Sequence, residues 1–161
     1  MPDPVRVGVT GSRYYSDRVT IRSALKAAQG RYPGCRMLLV HGKCDPYLAR
    51  PRRRVRWQTA EAMPAREQAA LLGADWHCAL IAAELGWETE GHPADWARHG
   101  TSAGPVRNSH MVALGAAEWL AFCGLCMAPR CRKAAPHLSH GTTGCADLAE
   151  KAGIDVRRFT A

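Results

Sequence analysis

Val5-Arg-Val-Gly-Val-Thr-Gly-Ser-Arg13 is a strand running into a turn. β-Branched apolar residues alternate with others over Val5–Val9, the period-two pattern of a strand, and Gly11-Ser-Arg13 follows at its carboxyl end. In an open α/β sheet, ligands collect in the crevice beyond the carboxyl ends of the strands. Gly11 permits close backbone approach there, and Arg13 offers a fork of donors suited to phosphate. The turn is not GxGxxG, and an ordinary strand-to-helix connection would read the same way.

Moving outward, Ser16 or Asp17 can cap a helix whose Ile21, Ala24, Leu25 and Ala28 share one face. Gly30 and Pro33-Gly34 end it. Cys35–Val40 is a second strand, apolar enough to be buried on both faces, with Cys35 expected in the core. Asp75 is expected to cap a helix with Cys78, Ile81, Ala82 and Leu85 inward and Gly86 after its end. Trp87–His92 reads as a third strand and residues 92–104 as a long loop. Pro105 suits the first turn of the next helix, which puts Arg107 and Asn108 in that turn and Val106, Met111, Val112 and Leu114 inward. Glu118–Phe122 is a fourth strand. Gly141-Thr-Thr-Gly144 opens a last helix, with Cys145, Leu148, Ala149 and Ala152 inward, and Ile154–Phe159 is a fifth strand. Strands alternating with helices predict an α/β, Rossmann-like fold: a mostly parallel open sheet of about five strands with helices on both faces.

The 161 residues suffice for a single domain over the whole chain, and a 47% hydrophobic composition with mixed charge excludes disorder. Residues 43–72 break the alternation with Pro46, Pro51, Pro64 and an arginine run, and read as an insertion with a short helix near Ala65–Leu72. The net charge of +8 fits a nucleic acid or a small anionic ligand equally well. No secretory signal and no membrane-spanning run is visible, so the expected location is cytoplasmic with no membrane partner, and the seven cysteines are expected as thiols or metal ligands.

Two turns carry the chemistry. Ala103-Gly-Pro-Val-Arg-Asn108 brings an arginine and an asparagine to a helix start, and Ser139-His-Gly-Thr-Thr-Gly144 is a Gly/Thr-rich turn into another. Uncapped N–H groups and the helix dipole favour a phosphate at such places. The candidate ligand residues are Gly11, Ser12, Arg13, His41, Gly42, Asp75, Asn108, His140, Gly141, Thr142 and Thr143, with Arg107 as a candidate catalytic group. A surface or salt-bridging arginine is the plain alternative for Arg107.

Residues 123–140 form a Cys/His-rich loop. Cys123-x-x-Cys126 has zinc-knuckle spacing, while Cys126-x4-Cys131-x5-His137-x2-His140 supplies four ligands without Cys123. Four of Cys123, Cys126, Cys131, His137 and His140 are thus candidate ligands of a structural zinc, which would organise a loop that has no core of its own. Cys44 and His41 could join if the insertion folded over the loop. Free thiols and surface histidines are the other reading. No organic cofactor is expected.

The order and spacing of Gly11-Ser-Arg13, His41-Gly42 with Gly73-Ala-Asp75, Pro93-Ala-Asp-Trp96, Ala103–Asn108 with Met111, and Gly141-Thr142 leading to Ala152-Gly-Ile154 resemble the YspA-like branch of the SLOG superfamily. The lonely-guy phosphoribohydrolases and the DNA-processing protein A belong to the same superfamily. The resemblance implies a Rossmann-like sheet, a nucleotide or phosphoribosyl ligand in the crevice, and a homodimer. Arg107 with Met111 matches the arginine run of the phosphoribohydrolases. Gly141-Thr142 matches their Gly-Thr, but the catalytic glutamate position falls on Cys145, and a neutral thiol cannot do a carboxylate's work. Asp75, Asp95 or Asp147 could substitute. The expectation is therefore a nucleotide-binding protein, a sensor or an N-glycosidic hydrolase of nucleoside 5′-monophosphates, with a single-stranded nucleic-acid-binding module as the alternative.

Overall fold

A computed structural model describes residues 1–160. In chain order the elements are β1 (Val5–Gly11), α1 (Arg18–Arg31), β2 (Met37–His41), β3 (Tyr47–Leu48), β4 (Arg53–Arg54), α2 (Trp57–Glu61), α3 (Ala65–Ala70), α4 (Ala74–Glu84), β5 (Glu88–Gly91), α5 (Trp96–His99), a 3-10 turn (Gly100–Ser102), α6 (Ala103–Ala113), β6 (Glu118–Cys123), α7 (His140–Lys151) and β7 (Asp155–Thr160). Five strands form one sheet in the order β5-β2-β1-β6-β7. Every pairing in it is parallel. This is the Rossmann-like α/β fold that the alternation of strands and helices implies.

The strand periodicity explains the layers. Met37 and Leu39 of β2 join Val7, Val9, Leu120 and Phe122 in a core closed by Ile21, Leu25 and Ala28 of α1 and Cys78, Ile81 and Ala82 of α4. Leu38 and Val40 point the other way, into a second core with Trp119, Met111, Val112, Cys145 and Ala149 of α6 and α7. The four inward residues expected for α1 are all buried, and Asp17 caps that helix by accepting Thr20 N at 3.0 Å.

Several local expectations give way. Cys35 is exposed, because β2 starts two residues later, at Met37. Asp75 is not a cap: Gly73 stands at the N-cap of α4 with φ 139, and Asp75 lies inside the first turn, buried. Residues 92–104 hold α5, capped by Asp95 accepting Arg98 N at 3.0 Å, and the 3-10 turn. As a result α6 begins at Ala103, ahead of Pro105, and its face is rotated: Val106 and Leu114 are exposed while Met111 and Val112 are buried. Ala152 is exposed just beyond α7.

The insertion is more ordered than its composition suggests. β3 and β4 make an antiparallel hairpin, and Tyr47 bridges to Leu72. Val55, Trp57, Ala60 and Leu71 then form a small core of their own around Trp76 of α4.

Candidate functional site: a crevice and a Cys/His cluster

The sheet order reverses beside β1. The chain steps outward from β1 to β2 to β5, then returns to place β6 on the other side of β1. At such a reversal the connections leave in opposite directions and open a crevice at the carboxyl edge. Gly11 ends β1 there. A Cβ on Gly11 would run into the Ala74 side chain and against Phe122, so the glycine lets the start of α4 sit directly on the strand end. Ala74 N donates to Ser12 O at 3.2 Å.

Ser12 and Thr142 are buried and serve each other. Gly124 N donates to Ser12 Oγ at 2.7 Å, and Ser12 Oγ lies 3.4 Å from Thr142 Oγ1. They tie the β1 turn, the end of β6 and the start of α7 into one wall. The groups left facing solvent are Arg13, Gly141 and, in part, Thr143. α7 has no side-chain cap, and nothing lies within 4 Å of where a Gly141 Cβ would stand. A 12-residue helix thus starts beside the reversal point with no side-chain cap and with Gly141 exposed in its first turn.

Arg107 lies in the second turn of α6, not the first, and reaches across to the opposite wall. Its guanidinium donates to Gly42 O, to His92 O at 3.2 Å, to Asn108 Oδ1 at 2.8 Å and to Cys44 Sγ at 3.6 Å. Four of its five N–H groups are therefore engaged by the protein. A Cβ on Gly42 would fall inside the guanidinium, which explains that glycine. Asp75 faces the same space and accepts Cys44 N at 3.1 Å. Cys44 keeps solvent contact yet is hemmed in by protein, and burial with the nearby Asp75 charge pushes its thiol up to about 12. Sequence reasoning raised Cys44 only as a further metal ligand and not as a neighbour of Arg107, because it lies in the aperiodic stretch after β2.

His41 turns toward the insertion instead. Its ring stacks on Trp57 at 5.3 Å, and Nδ1 accepts Lys43 N at 3.1 Å. With Lys43, Trp76 and Gly91 it lines a cavity of about 300 Å³. Burial holds its pKa below the usual histidine value, so the ring is neutral. Cys145 is buried in the second core, and its thiol is pushed up to about 11 by burial. It supplies neither a carboxylate nor a thiolate at neutral pH. Asp147 pairs with Arg158 at 3.0 Å and Asp95 caps α5, which leaves Asp75 as the one of the three candidate carboxylates inside the crevice.

Beside this wall, Cys126, Cys131, His137 and His140 bring one donor atom each within 4.8 Å of one another, a group that can hold a metal ion. Cys131 Sγ lies 3.3 Å from His137 Nε2 and 3.2 Å from His140 Nε2, and the two Nε2 atoms are 3.2 Å apart. A tetrahedral metal with bonds of about 2.0–2.3 Å spaces its ligand atoms by roughly 3.3–3.8 Å. His137 Nδ1 lies 2.8 Å from Ala134 O, the outer contact that fixes a ligating imidazole with Nε2 free. Cys123 is not part of the group: it is buried at the end of β6 with Sγ 3.7 Å from Ala121 O. His41 and Cys44 stay on the far side of the crevice and do not join it. His140, a candidate for both roles, belongs to the metal group.

Fold and site together define a Rossmann-like α/β protein with a crevice at the strand-order reversal and a Cys2His2 cluster on its rim. No family model and no solved structure matches the chain. It is 32% identical over 154 residues to the Gene 61 protein of Mycobacterium phage D29, an alignment covering 96% of this chain and 95% of that protein. The chain belongs to the family of that phage protein. No helix among the described residues is long and apolar enough to cross a membrane.

Proposed function

We propose that the protein binds a phosphate-bearing nucleotide in the crevice, with the phosphate against the amino end of α7, and that a structural zinc in the Cys2His2 cluster holds that helix end in place. The observation that carries the first part is the uncapped, glycine-bearing start of α7, set at the reversal point beside Gly11-Ser-Arg13. The motif order that resembles the YspA-like SLOG branch supports the nucleotide class. Two thiols and two imidazoles favour zinc over a hard cation.

The test separates binding from folding. Gly141→Asp puts a carboxylate where the phosphate would sit, and there is room for it. An acidic group in the first turn stabilises a helix by about 0.3–1 kcal/mol, so stability should hold or rise. Calorimetric titration with nucleoside 5′-monophosphates should show binding to the native protein and at least a tenfold loss in the variant. Equal affinity in both, or none in either, rules the reading out.

A hydrolytic reading rests on one observation: Asp75 is a buried carboxylate facing the same space as Arg107. Incubation with the same nucleotides, with chromatography for free base, decides it. Base release that disappears in Asp75→Asn adds N-glycosidic cleavage to binding. Intact nucleotides leave a binding protein, consistent with the neutral thiol of Cys145.

A further inference from the structure

The net charge of +8 is not spread over the molecule. Two stretches, residues 46–60 and 124–146, contain no aspartate or glutamate and carry eight of the 22 basic residues. The 14 basic residues elsewhere equal the 14 acidic ones, so the entire net charge resides in those two stretches. In the first, Arg50, Arg52, Arg53, Arg54 and Arg56 are exposed on and beside the β3–β4 hairpin. In the second, Arg130, Arg132 and Lys133 are exposed on the Cys/His loop. Among the described residues, Arg54 alone of the eight has an acidic partner, Asp45 at 3.7 Å.

Far apart in sequence, the two stretches meet at the crevice. Arg52 Cζ lies 4.3 Å over the Tyr14 ring, which packs edge-on against Tyr47 of β3. Two residues before Tyr14, Ser12 Oγ holds Gly124 N, the root of the loop, and faces Thr142. Arg130 and Arg132 flank Cys131, whose Sγ is 3.2 Å from His140 at the start of α7. Ser12 to Tyr14 spans at most about 7 Å, so the two rims are rooted close together at the end of β1. The exposed Arg13 lies between them. A single strand can offer unstacked base faces that a duplex keeps within its stack. Leu125 and Met127, both more than half exposed, add apolar surface beside the loop rim for unstacked bases.

We propose that the two basic rims bind a single-stranded nucleic acid laid across the mouth of the crevice. It rests on the nucleotide reading only in seating one phosphate at α7; the rims contribute apart from it. Phosphate neutralisation by Lys and Arg releases counterions, which makes affinity fall steeply with salt, whereas one pocketed phosphate gives a shallow dependence.

The test is fluorescence anisotropy with a labelled 12-nucleotide mixed-sequence single strand and its duplex, at 50 and 200 mM salt. A calorimetric titration with a nucleoside monophosphate runs in parallel. The single strand should bind at least tenfold tighter than the duplex and lose about 10²–10³ in affinity over that fourfold rise in salt, for five to eight phosphates contacted. The triple variant Arg50→Gln, Arg53→Gln, Arg56→Gln and the double variant Arg132→Gln, Lys133→Gln should each weaken the single strand at least tenfold. Both should leave mononucleotide affinity, bound metal and melting temperature unchanged. Equal binding of the duplex, a flat salt response, or rim variants that bind like the native protein would each overturn the proposal. Single-strand binding that persists in Gly141→Asp while mononucleotide binding is absent throughout would defeat the preceding reading and leave this one standing.

Discussion

The insertion at 43–72 and the loop at 123–140 interrupt the same α/β alternation, border the same crevice and are both rich in basic residues, yet they are held together by different means. The insertion buries Val55, Trp57, Ala60 and Leu71 against Trp76, so it has a core. The loop leaves Leu125 and Met127 more than half exposed and gathers two thiols and two imidazoles instead. One segment gains its order from removing apolar surface from water, while for the other we propose a set of metal ligands. A short segment can therefore be ordered by a handful of side chains of either kind, and which kind it uses decides what disrupts it.

Removing the core of the insertion should have the largest effect on the whole molecule. Trp57 is 6% exposed, stacks on His41 and meets Trp76 edge-on at 4.9 Å. Trp57→Ala should cost about 3–5 kcal/mol of unfolding free energy, read from the urea midpoint. A loss below about 1 kcal/mol would mean that the insertion folds independently of the sheet.

The insertion is also fastened to the main core by one titratable group. His77 is fully buried; Nδ1 lies 2.9 Å from the Arg18 guanidinium and Nε2 lies 2.6 Å from Leu71 O, at the end of the insertion. Arg18 can only donate, so Nδ1 is the acceptor and the ring is neutral with its proton on Nε2. Burial lowers its pKa to about 4. The unfolded chain then takes up a proton below about 6.5 that the folded protein refuses until about 4. Stability from this group is complete above pH 6.5 and falls as pH drops through that window, by up to about 1.4 kcal/mol per pH unit. Urea unfolding at pH 7, 6 and 5 should show the slope, and His77→Phe should flatten it. An unchanged slope in the variant would place the pH dependence elsewhere.

The sheet and its helices were legible because strands and helices alternate along the chain: the apolar runs of β1, β2 and β6 and the α1 face at Ile21, Ala24, Leu25 and Ala28 identify themselves, and the polar edge strands β5 and β7 follow from their places in that alternation. The hairpin of β3 and β4 has two residues per strand, too few for any period, and proline-rich composition hid the Trp57 core. A four-residue helix, α5, moved the start of α6 and thereby the placement of Arg107, although Asp95 is a residue that commonly caps a helix. The candidate residues were legible as a set, but not the partners each side chain takes. Ser12 and Thr142 carry phosphate-site chemistry in the sequence, yet they spend their hydroxyls on each other, since buried hydroxyls take the nearest partner. The Cys/His spacing named the four clustered residues along with Cys123, which only the position of β6 could remove.

Opening the loop should affect the whole molecule least, even though it dismantles the loop itself. Cys131 contacts both imidazoles, so on the zinc proposal the native protein should carry zinc by emission spectroscopy, and Cys131→Ser or a strong chelator should abolish it. Trypsin should then cut at Arg130, Arg132 or Lys133, which stand on exposed backbone. The main cores contain none of the four ligands, and the loop buries little apolar surface to lose. The urea midpoint should therefore move by less than about 1 kcal/mol, well below the cost of Trp57→Ala. The consequence that travels is local: His140 is the first residue of α7, and Ser139 N donates to Gly124 O at 2.9 Å, so a loosened loop frees the helix end proposed to hold phosphate. Nucleotide affinity should fall with the metal while global stability does not. If chelation instead unfolded the protein as completely as the loss of Trp57, the cluster would be a support of the whole fold, and the contrast between the two segments would be wrong.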